Sequence, residues 1–237
     1  PSDTSENDAL FETIVKMAMP YSGAWAESLP REALSGTYLD TVKSFLEHVC
    51  LTYAKQSAQA VAFKEVWITE MIPAVLRSFP DSRAVVSVRD PRAVAASNYK
   101  SGAKYPLTFL GRQWRKLAWL AHRVKQMYPD RVMLLHYEHF VEQHETEIPK
   151  LCDFCGVDFD ERLLDLRHYT DGDGKPWMAN TFYDSGDRLT INAGSVDRWK
   201  DVLDEHEIRH LELIGYDLMS HYGYELNNEP GDLLGLK

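Results

Sequence analysis

Apolar residues recur along this chain at two spacings, which predict helices alternating with short strands. A spacing of three to four residues is typical of amphipathic helices, and short β-branched runs are typical of strands. Helices are predicted over residues 9–19, 38–60, 69–79, 91–101, 107–127, 140–155, 160–167 and 204–222, and strands over 61–65, 84–88 and 132–137. This alternation indicates an α/β fold of three layers, in which helices flank a central parallel sheet.

The clearest junction between two predicted elements follows the strand at 84–88. This apolar run ends at Arg89, and Asp90 and Pro91 open the next helix. Proline suits the first helical position, and aspartate caps the first turn through its carboxylate. Arg89 is expected at the carboxyl end of a buried strand, where open α/β sheets bind ligands, with Ser97 about two turns into the helix. The pattern predicts an anion site, and an ordinary salt-bridged turn is the alternative.

The balance of charge narrows the classes of partner. Lysine and arginine number 26 and aspartate and glutamate 36, so the net charge is −10. Such a chain lacks the basic footprint of general nucleic-acid binding, whereas a local basic pocket is enough for a small anionic ligand. There is no apolar run of membrane-spanning length and no signal-peptide pattern at the start. A cytoplasmic protein that binds neither nucleic acid nor membrane is expected.

The three cysteines do not form a disulfide framework. Cys152 and Cys155 form a CxxC pair, but no further ligands stand at metal-like spacing and no thioredoxin-like context surrounds it. Because the pair falls within the predicted helix at 140–155, core packing is favoured over metal binding or redox chemistry. Because the cysteines are expected to be free, a reducing compartment is expected for this protein.

Four segments, taken in chain order, resemble the sulfotransferases that use 3′-phosphoadenosine 5′-phosphosulfate (PAPS). They are FKE at 63–65 ahead of a helix that ends in FPD, RDPR at 89–92 with Ser97 downstream, HYEHF at 136–140, and NAGSVDRWK at 192–200. The resemblance covers roughly residues 40–225. The second and fourth segments together are quite specific, and each alone would be a weak signal.

The resemblance implies a P-loop-NTPase-like sulfotransferase fold and a set of nucleotide-binding residues. Arg89 and Ser97 would hold the 3′-phosphate, and Tyr137 would lie near the nucleotide. Phe182 occupies the place of an aromatic residue that stacks on adenine. A late loop that closes over the 3′-phosphate would include Gly194, Arg198 and Lys200. A half-buried strand tyrosine at 137 and loop packing at 182 remain alternatives, and Trp199 is predicted to pack rather than to touch ligand.

The family's catalytic parts are less visible in this chain. At the end of the predicted strand 61–65, Lys64 is the candidate for stabilising transferring charge and Glu65 the candidate base, with a surface ion pair as the alternative. The 5′-phosphosulfate loop is expected to precede Pro1, although the segment 35–37 has a similar composition. A single sulfotransferase-like domain over 1–237 is predicted, with 1–35 as a variable segment.

The sequence therefore predicts a sulfotransferase that moves a sulfuryl group from PAPS to an acceptor hydroxyl or amine, with 3′,5′-adenosine bisphosphate as product and without a metal. The acceptor would be a small molecule, a glycan or a peptide, and association into a homo-oligomer is left open. Two alternatives remain: a non-catalytic nucleotide-binding or scaffold domain of the same fold, and a nucleotide-kinase-like phosphotransferase. The second would require a full Walker loop and a magnesium-binding aspartate, which the sequence does not show.

Overall fold

The structure, a computed structural model, describes residues 4–18, 27–34, 37–53, 60–64, 69–102, 105–170, 191 and 193–233. These residues fall into two compact units, one up to residue 64 and one from residue 69 onward. Within the described part of the chain, every helix is too short or too polar to cross a bilayer. The single domain over 1–237 stays a prediction.

The described part of the first unit is helical. It contains α1 (Thr4–Ala18), a 3-10 helix (Arg31–Leu34) and α2 (Tyr38–Tyr53). α2 begins where it does because Thr37 N donates to Asp40 Oδ2 at 2.8 Å and Asp40 N donates to Thr37 Oγ1 at 3.3 Å, which satisfies backbone donors of the first turn. Ser35 and Gly36, which with Thr37 make up the segment 35–37, lie outside the described residues.

The strand predicted over 61–65 is wrong for the four residues that the structure describes. Residues 61–64 have no regular secondary structure. Val61 is 36% exposed and Phe63 is 59% exposed. A short apolar run becomes a strand only where a neighbour pairs its backbone and covers its side chains, so β propensity alone was insufficient here.

The second unit is built around a parallel pair of strands. Its elements are a 3-10 helix (Thr69–Met71), α3 (Ile72–Ser78), β1 (Ala84–Val88), α4 (Pro91–Ser101), α5 (Leu107–Met127), β2 (Val132–His136), α6 (Tyr137–Glu142), α7 (His144–Cys155), two 3-10 helices (Glu161–Leu164 and Leu166–His168), α8 (Trp199–Val202), α9 (Glu205–His221) and α10 (Pro230–Leu233). The predicted bounds of β1, α4 and α5 are confirmed. The α/β class is confirmed as well.

The sequence predicted one continuous helix over 140–155, and the structure divides it. α6 starts already at Tyr137, so the third predicted strand ends at His136. Gln143, with φ −127° and ψ 33°, interrupts the helix between α6 and α7. The helix predicted over 160–167 is two 3-10 turns, capped by the side chains of Asp160 and Asp165.

The two strands define where ligands can approach. β1 and β2 pair in parallel from Ala84↔Val132 to Val88↔His136, with α4 and α5 in the connection between them. Among the described residues, the sheet consists of these two strands. Burial alternates along β1, because Val86 and Val88 are buried whereas Val85 and Ser87 are exposed. The strand was predicted to be buried, and in the described part of the chain only one face is covered.

The core of this unit forms where α5 and α9 pack on the covered face of β1. Buried residues of this cluster include Leu76, Val86, Val88, Trp114, Ala118, Ala121, Val124, Val132, Leu218, Met219 and Tyr222. The two helices approach closely because each has a glycine at the contact. A Cβ atom at Gly111 would lie 2.9 Å from Ile214 Cδ1, and one at Gly215 would lie 3.1 Å from Trp114 Cζ3. Burying these side chains is the main favourable contribution to folding here.

Candidate functional site

The parallel register brings two predicted site residues together at the carboxyl edge of the strands. Val88 pairs with His136, so the next residues, Arg89 and Tyr137, leave the two strands side by side. The guanidinium carbon of Arg89 lies 4.3 Å from the centroid of the Tyr137 ring. This is a cation–π contact, and it fixes the plane of the guanidinium against the aromatic face.

The backbone that carries Arg89 is held from both sides. Trp114 Nε1 donates to Arg89 O at 2.7 Å, and Asp90 N donates to Glu138 Oε1 at 2.9 Å. Asp90 also caps α4, because its Oδ1 accepts from Arg92 N at 2.8 Å, as the sequence predicted. These contacts hold Arg89 at the start of a helix, where the helix dipole favours an anion.

Ser195 closes the site from the segment before α8. Arg89 Nη2 donates to Ser195 O at 3.0 Å, and the hydroxyls of Tyr137 and Ser195 are hydrogen-bonded at 2.8 Å. Arg89 Nε is buried and has no hydrogen-bond partner in the part of the chain that the structure describes. An unsatisfied buried donor costs free energy, and a bound oxyanion would satisfy it.

The predicted residues of the late loop have different surroundings in the structure. Arg198 Nη2 donates to Gly194 O at 3.2 Å, so this side chain braces the turn that carries Ser195. Lys200 is exposed and pairs with Asp197 at 2.7 Å. Trp199 is buried, as predicted.

The structure describes no contact between the Arg89 turn and four other predicted residues. Ser97 is half-buried on α4, and the structure describes no contact between it and Arg89. Lys64 is exposed and belongs to the first unit, where the strand that was expected to position it is not formed. Glu65 and Phe182 lie outside the described residues. The roles assigned to these four residues stay predictions.

Arg92, the last residue of the RDPR motif, is buried and committed to protein partners. Its guanidinium donates to both carboxylate oxygens of Asp90 and, at 2.8 Å, to Glu212 Oε1. It also lies over the Trp199 ring, 4.0 Å from the centroid. Glu212 is fully buried and accepts further hydrogen bonds from Asn227 and Asn228. Of the two arginines in the motif, only Arg89 is therefore available to a ligand.

Glu138 links Tyr224 to the backbone of Asp90, next to Arg89. Its Oε2 accepts from Tyr224 Oη at 3.2 Å while its Oε1 holds Asp90 N. Burial, and then the negative charges of Glu138 and Asp90, raise the pKa of Tyr224 well above its usual range. Tyr224 is accordingly a neutral hydrogen-bond donor, and it helps to fix the carboxylate beneath the Arg89 turn.

His136 is half-buried among rings at the end of β2. Its ring centroid lies 5.3 Å from that of His139 and 5.7 Å from that of Tyr222. Burial, followed by the neighbouring His139, lowers the pKa of His136 below its ordinary 6.5, and Glu138 opposes this shift. Folding thus favours the neutral imidazole.

We expect the free energy of unfolding to fall as the pH drops below about 6.5, because the unfolded chain then binds a proton at His136 that the folded chain resists. Urea titrations at about pH 7.5 and about pH 5.5 measure the loss. His136→Gln should lose less stability over this interval than the unchanged protein. His206→Gln, at an exposed histidine, should lose as much as the unchanged protein. Equal losses for His136→Gln and the unchanged protein would contradict the assignment.

The CxxC pair lies at the end of α7. Cys152 is buried, in agreement with the predicted packing role, and Cys155 is exposed. Although the residue as a whole is exposed, partial burial of its sulfur and the neighbouring Cys152 raise the pKa of the Cys155 thiol against the opposing charge of Arg83, which makes it a poorer nucleophile at neutral pH. In the described part of the chain, His, Cys, Asp and Glu side chains do not gather into a metal-binding group.

Sequence reasoning missed Ser195, Trp114 and Glu138 as parts of the site. Their contacts with the Arg89 turn span 106, 25 and 48 residues of sequence, and no local pattern encodes such separations. Ser195 stood within the NAGSVDRWK segment and could have been singled out as a hydroxyl next to a glycine. Glu138 likewise stood within the HYEHF segment at 136–140, whereas Trp114 gave no comparable signal.

Known proteins resemble this chain over most of its length. A model described as "Sulfotransferase family" matches residues 5–161. A protein of Caenorhabditis briggsae called "Putative protein-tyrosine sulfotransferase" is 21% identical over 201 residues, which cover 81% of this chain and 70% of that protein. A Caenorhabditis elegans protein of the same description is 22% identical over 198 residues, covering 75% of this chain and 73% of the relative.

The fold itself has a counterpart among solved structures. The "Sulfotransferase Domain from the Curacin Biosynthetic Pathway" superposes with a TM-score of 0.60 at 18% identity, covering 90% of this chain and 78% of that domain. Since the family match takes in well over half of the sequence, and its range includes the Arg89 and Tyr137 motifs, this protein belongs to the sulfotransferase family.

Proposed function

We propose that this protein transfers a sulfuryl group from PAPS to an acceptor hydroxyl or amine, with Arg89 on the 3′-phosphate of the nucleotide. The observation that carries this proposal is the Arg89 Nε at the carboxyl end of β1, which is buried with no hydrogen-bond partner among the described residues, in a chain of the sulfotransferase family. Nε and Nη2 form one edge of a guanidinium; Nη2 has one hydrogen on Ser195 O, so Nε and the second hydrogen of Nη2 would engage two oxygens of a phosphate.

The surrounding residues support a preformed anion site. Trp114 and Glu138 fix the backbone on either side of Arg89, and the Tyr137 ring fixes its guanidinium plane. Preorganised donors lose little freedom when a ligand arrives, which favours affinity. In this proposal Ser97 supplies a neutral donor to the same phosphate, and Phe182 stacks on the base.

The reaction would be an in-line displacement at sulfur, driven by positioning and by charge stabilisation. PAPS supplies the activated sulfuryl group and a nucleotide leaving group. Gly194 and Arg198 would close the late turn over the nucleotide, and Lys200 would add positive charge there. Lys64 and Glu65 remain the candidates for stabilising the transferring charge and for accepting the acceptor's proton.

The acceptor we infer is a hydroxyl on an aromatic or apolar body. Two relatives are named for protein-tyrosine sulfation. Tyr105 and Phe109 stack at 5.5 Å between centroids at the start of α5, and both rings are exposed. Such a pair offers a flat apolar surface to a phenol.

Calorimetry with 3′,5′-adenosine bisphosphate, adenosine 5′-phosphate and ATP tests the donor. The bisphosphate should bind at least about tenfold more tightly than either competitor, because only it carries the 3′-phosphate that Arg89 would grip. Radiolabelled PAPS offered with a tyrosine peptide, a simple phenol or a primary amine then tests transfer. Preference for ATP would overturn the proposal. Tight binding of the bisphosphate without transfer to any acceptor would favour the non-catalytic alternative.

A further inference from the structure

Positive charge is concentrated in one stretch of this acidic protein. Residues 91–129 contain eight lysines and arginines and no aspartate or glutamate, although the whole chain has a net charge of −10. This stretch includes all of α4 and α5. The mixture of signs that is usual on a helix surface is therefore missing from α5, and its exposed face is basic.

The outer face of α5 presents an aromatic ring among these cations. Arg112, Lys116, Trp119 and Arg123 follow a spacing of four, three and four residues, which places them on one side of the helix. All four are exposed, and Trp119 is 52% exposed. We call these four residues the α5 outer face. The opposite side of α5 is the buried one, with Trp114 and Ala118 in the core.

Other basic residues of α5 are already neutralised or engaged. Arg115 pairs with Asp217, and Lys125 donates to the carbonyls of Pro129 and Val132 at the end of the helix. On the outer face, Lys116 pairs with Glu70 at 2.6 Å.

Arg112 and Arg123 are the other two cations of the α5 outer face. Neither makes an ion pair with a carboxylate among the described residues. The Arg123 guanidinium lies 6.0 Å from the Trp119 ring centroid, and its Nη1 donates to the neutral Gln126 amide at 3.0 Å. Both arginines are therefore open to an external carboxylate.

This face lies on the side of α5 opposite the Arg89 turn. Trp114 projects from the other side of α5 and donates to Arg89 O. Residues 112, 119 and 123 therefore point away from the Arg89 turn. A molecule bound to the α5 outer face would not occupy the nucleotide site.

We propose that the α5 outer face docks an acidic polypeptide segment that carries an apolar or aromatic side chain between its carboxylates. Arginine binds carboxylates through paired donors, and a half-exposed tryptophan is a typical anchor for an apolar side chain. Arg112 and Arg123 are eleven positions apart, about 16 Å along the helix axis. An extended segment of about five residues spans that distance.

An acidic peptide fits this face better than a nucleic acid does. Two arginines neutralise too few phosphates for stable nucleic-acid binding, and the net charge of −10 repels a long polyanion. A short peptide senses mainly the charges within a Debye length of about 8 Å, where the outer face is positive. The inference does not depend on the proposed sulfuryl transfer.

The test uses the full chain with its tryptophan side chains labelled with nitrogen-15, and the probe peptide acetyl-Asp-Glu-Phe-Asp-Glu-amide. Trp119→Phe identifies the indole signal of Trp119 in the NMR spectrum by removing it. The probe should shift that signal saturably. Charge reversal in the double variant Arg112→Glu plus Arg123→Glu should weaken binding at least about tenfold, in line with the loss of two charged contacts. The matched control, Arg162→Glu plus Arg167→Glu, reverses two exposed arginines elsewhere in the same unit and should change affinity less than about twofold.

Several results would overturn the proposal. One is the absence of a saturable shift, and another is equal affinity for the neutral analogue acetyl-Asn-Gln-Phe-Asn-Gln-amide. A tighter response to an oligodeoxythymidine would assign the face to nucleic acid. A dimer of the unliganded protein that the Arg112→Glu plus Arg123→Glu variant abolishes would assign it to a second copy of this chain. Urea midpoints of all variants establish that they remain folded.

Discussion

Arg89→Ala is expected to weaken the binding of 3′,5′-adenosine bisphosphate about 10- to 150-fold, the range for losing a charged hydrogen bond. The Arg89 guanidinium is held by the Tyr137 ring and the Ser195 carbonyl, and its Nε is buried with no hydrogen-bond partner in the described part of the chain. Alanine removes the forked donor that would engage a phosphate. Arg89→Lys keeps the positive charge and loses the fork, so its effect should be intermediate.

Comparing two nucleotides separates a direct contact from general damage to the site. Calorimetry should show that Arg89→Ala abolishes the preference for the bisphosphate over adenosine 5′-phosphate while changing affinity for the monophosphate much less. Arg162→Ala, which removes an exposed guanidinium from the same unit, should leave both affinities unchanged. If Arg89→Ala retained the preference, or lost affinity equally for both nucleotides, Arg89 would not be the 3′-phosphate ligand.

Arg92→Ala is expected to lower the free energy of unfolding by about 3–5 kcal/mol, the usual cost of removing one partner from a buried ion pair. The Arg92 side chain is buried between the carboxylates of Asp90 and Glu212, and Glu212 has no exposed surface. Without the guanidinium, the buried Glu212 carboxyl loses its cationic partner, and among the described residues it keeps the hydrogen bonds from Asn227 and Asn228.

Urea unfolding of Arg92→Ala and of Arg115→Ala gives a matched comparison. Arg115 pairs with Asp217 on the same helix, α9, but that pair is exposed, so its loss should cost about 1 kcal/mol or less. Glu212→Gln provides a second measurement if Arg92→Ala does not fold. Its amide would place N–H groups against donors of Arg92 and the two asparagines, so destabilisation is expected here too. A loss for Arg92→Ala no larger than that for Arg115→Ala would contradict the network.

The parts of the fold that could be predicted from the sequence are those with strong local signals. The bounds of α4 and α5 follow from the Asp-Pro start and from a long apolar period, and β1 follows from its β-branched run. Residues 61–64 have the same kind of strand pattern, but their side chains are exposed in the described part of the chain. The break at Gln143 depends on one backbone conformation, which residue type alone does not specify.

Part of the candidate site was predictable for a similar reason. Arg89 and Tyr137 each follow a strand, and parallel pairing in register brings them together. The sequence alone did not distinguish the roles of Arg89 and Arg92 in RDPR. Arg92 is a buried residue because it pairs with Glu212, which lies 120 positions away. The role of Ser195 likewise depends on where the chain returns to the sheet edge.

The buried carboxylate of Glu212 depends on residues beyond α9 for several of its hydrogen bonds. Arg92 donates to the Glu225 carbonyl, and the backbone amides of Asn227 and Asn228 donate to the Glu212 carboxylate. Residues 225–228 therefore connect Arg92 of α4 to Glu212 of α9 through hydrogen bonds. Proteolytic clipping or an engineered stop before residue 227 should loosen the Asp90 turn, and with it the edge of the sheet that presents Arg89.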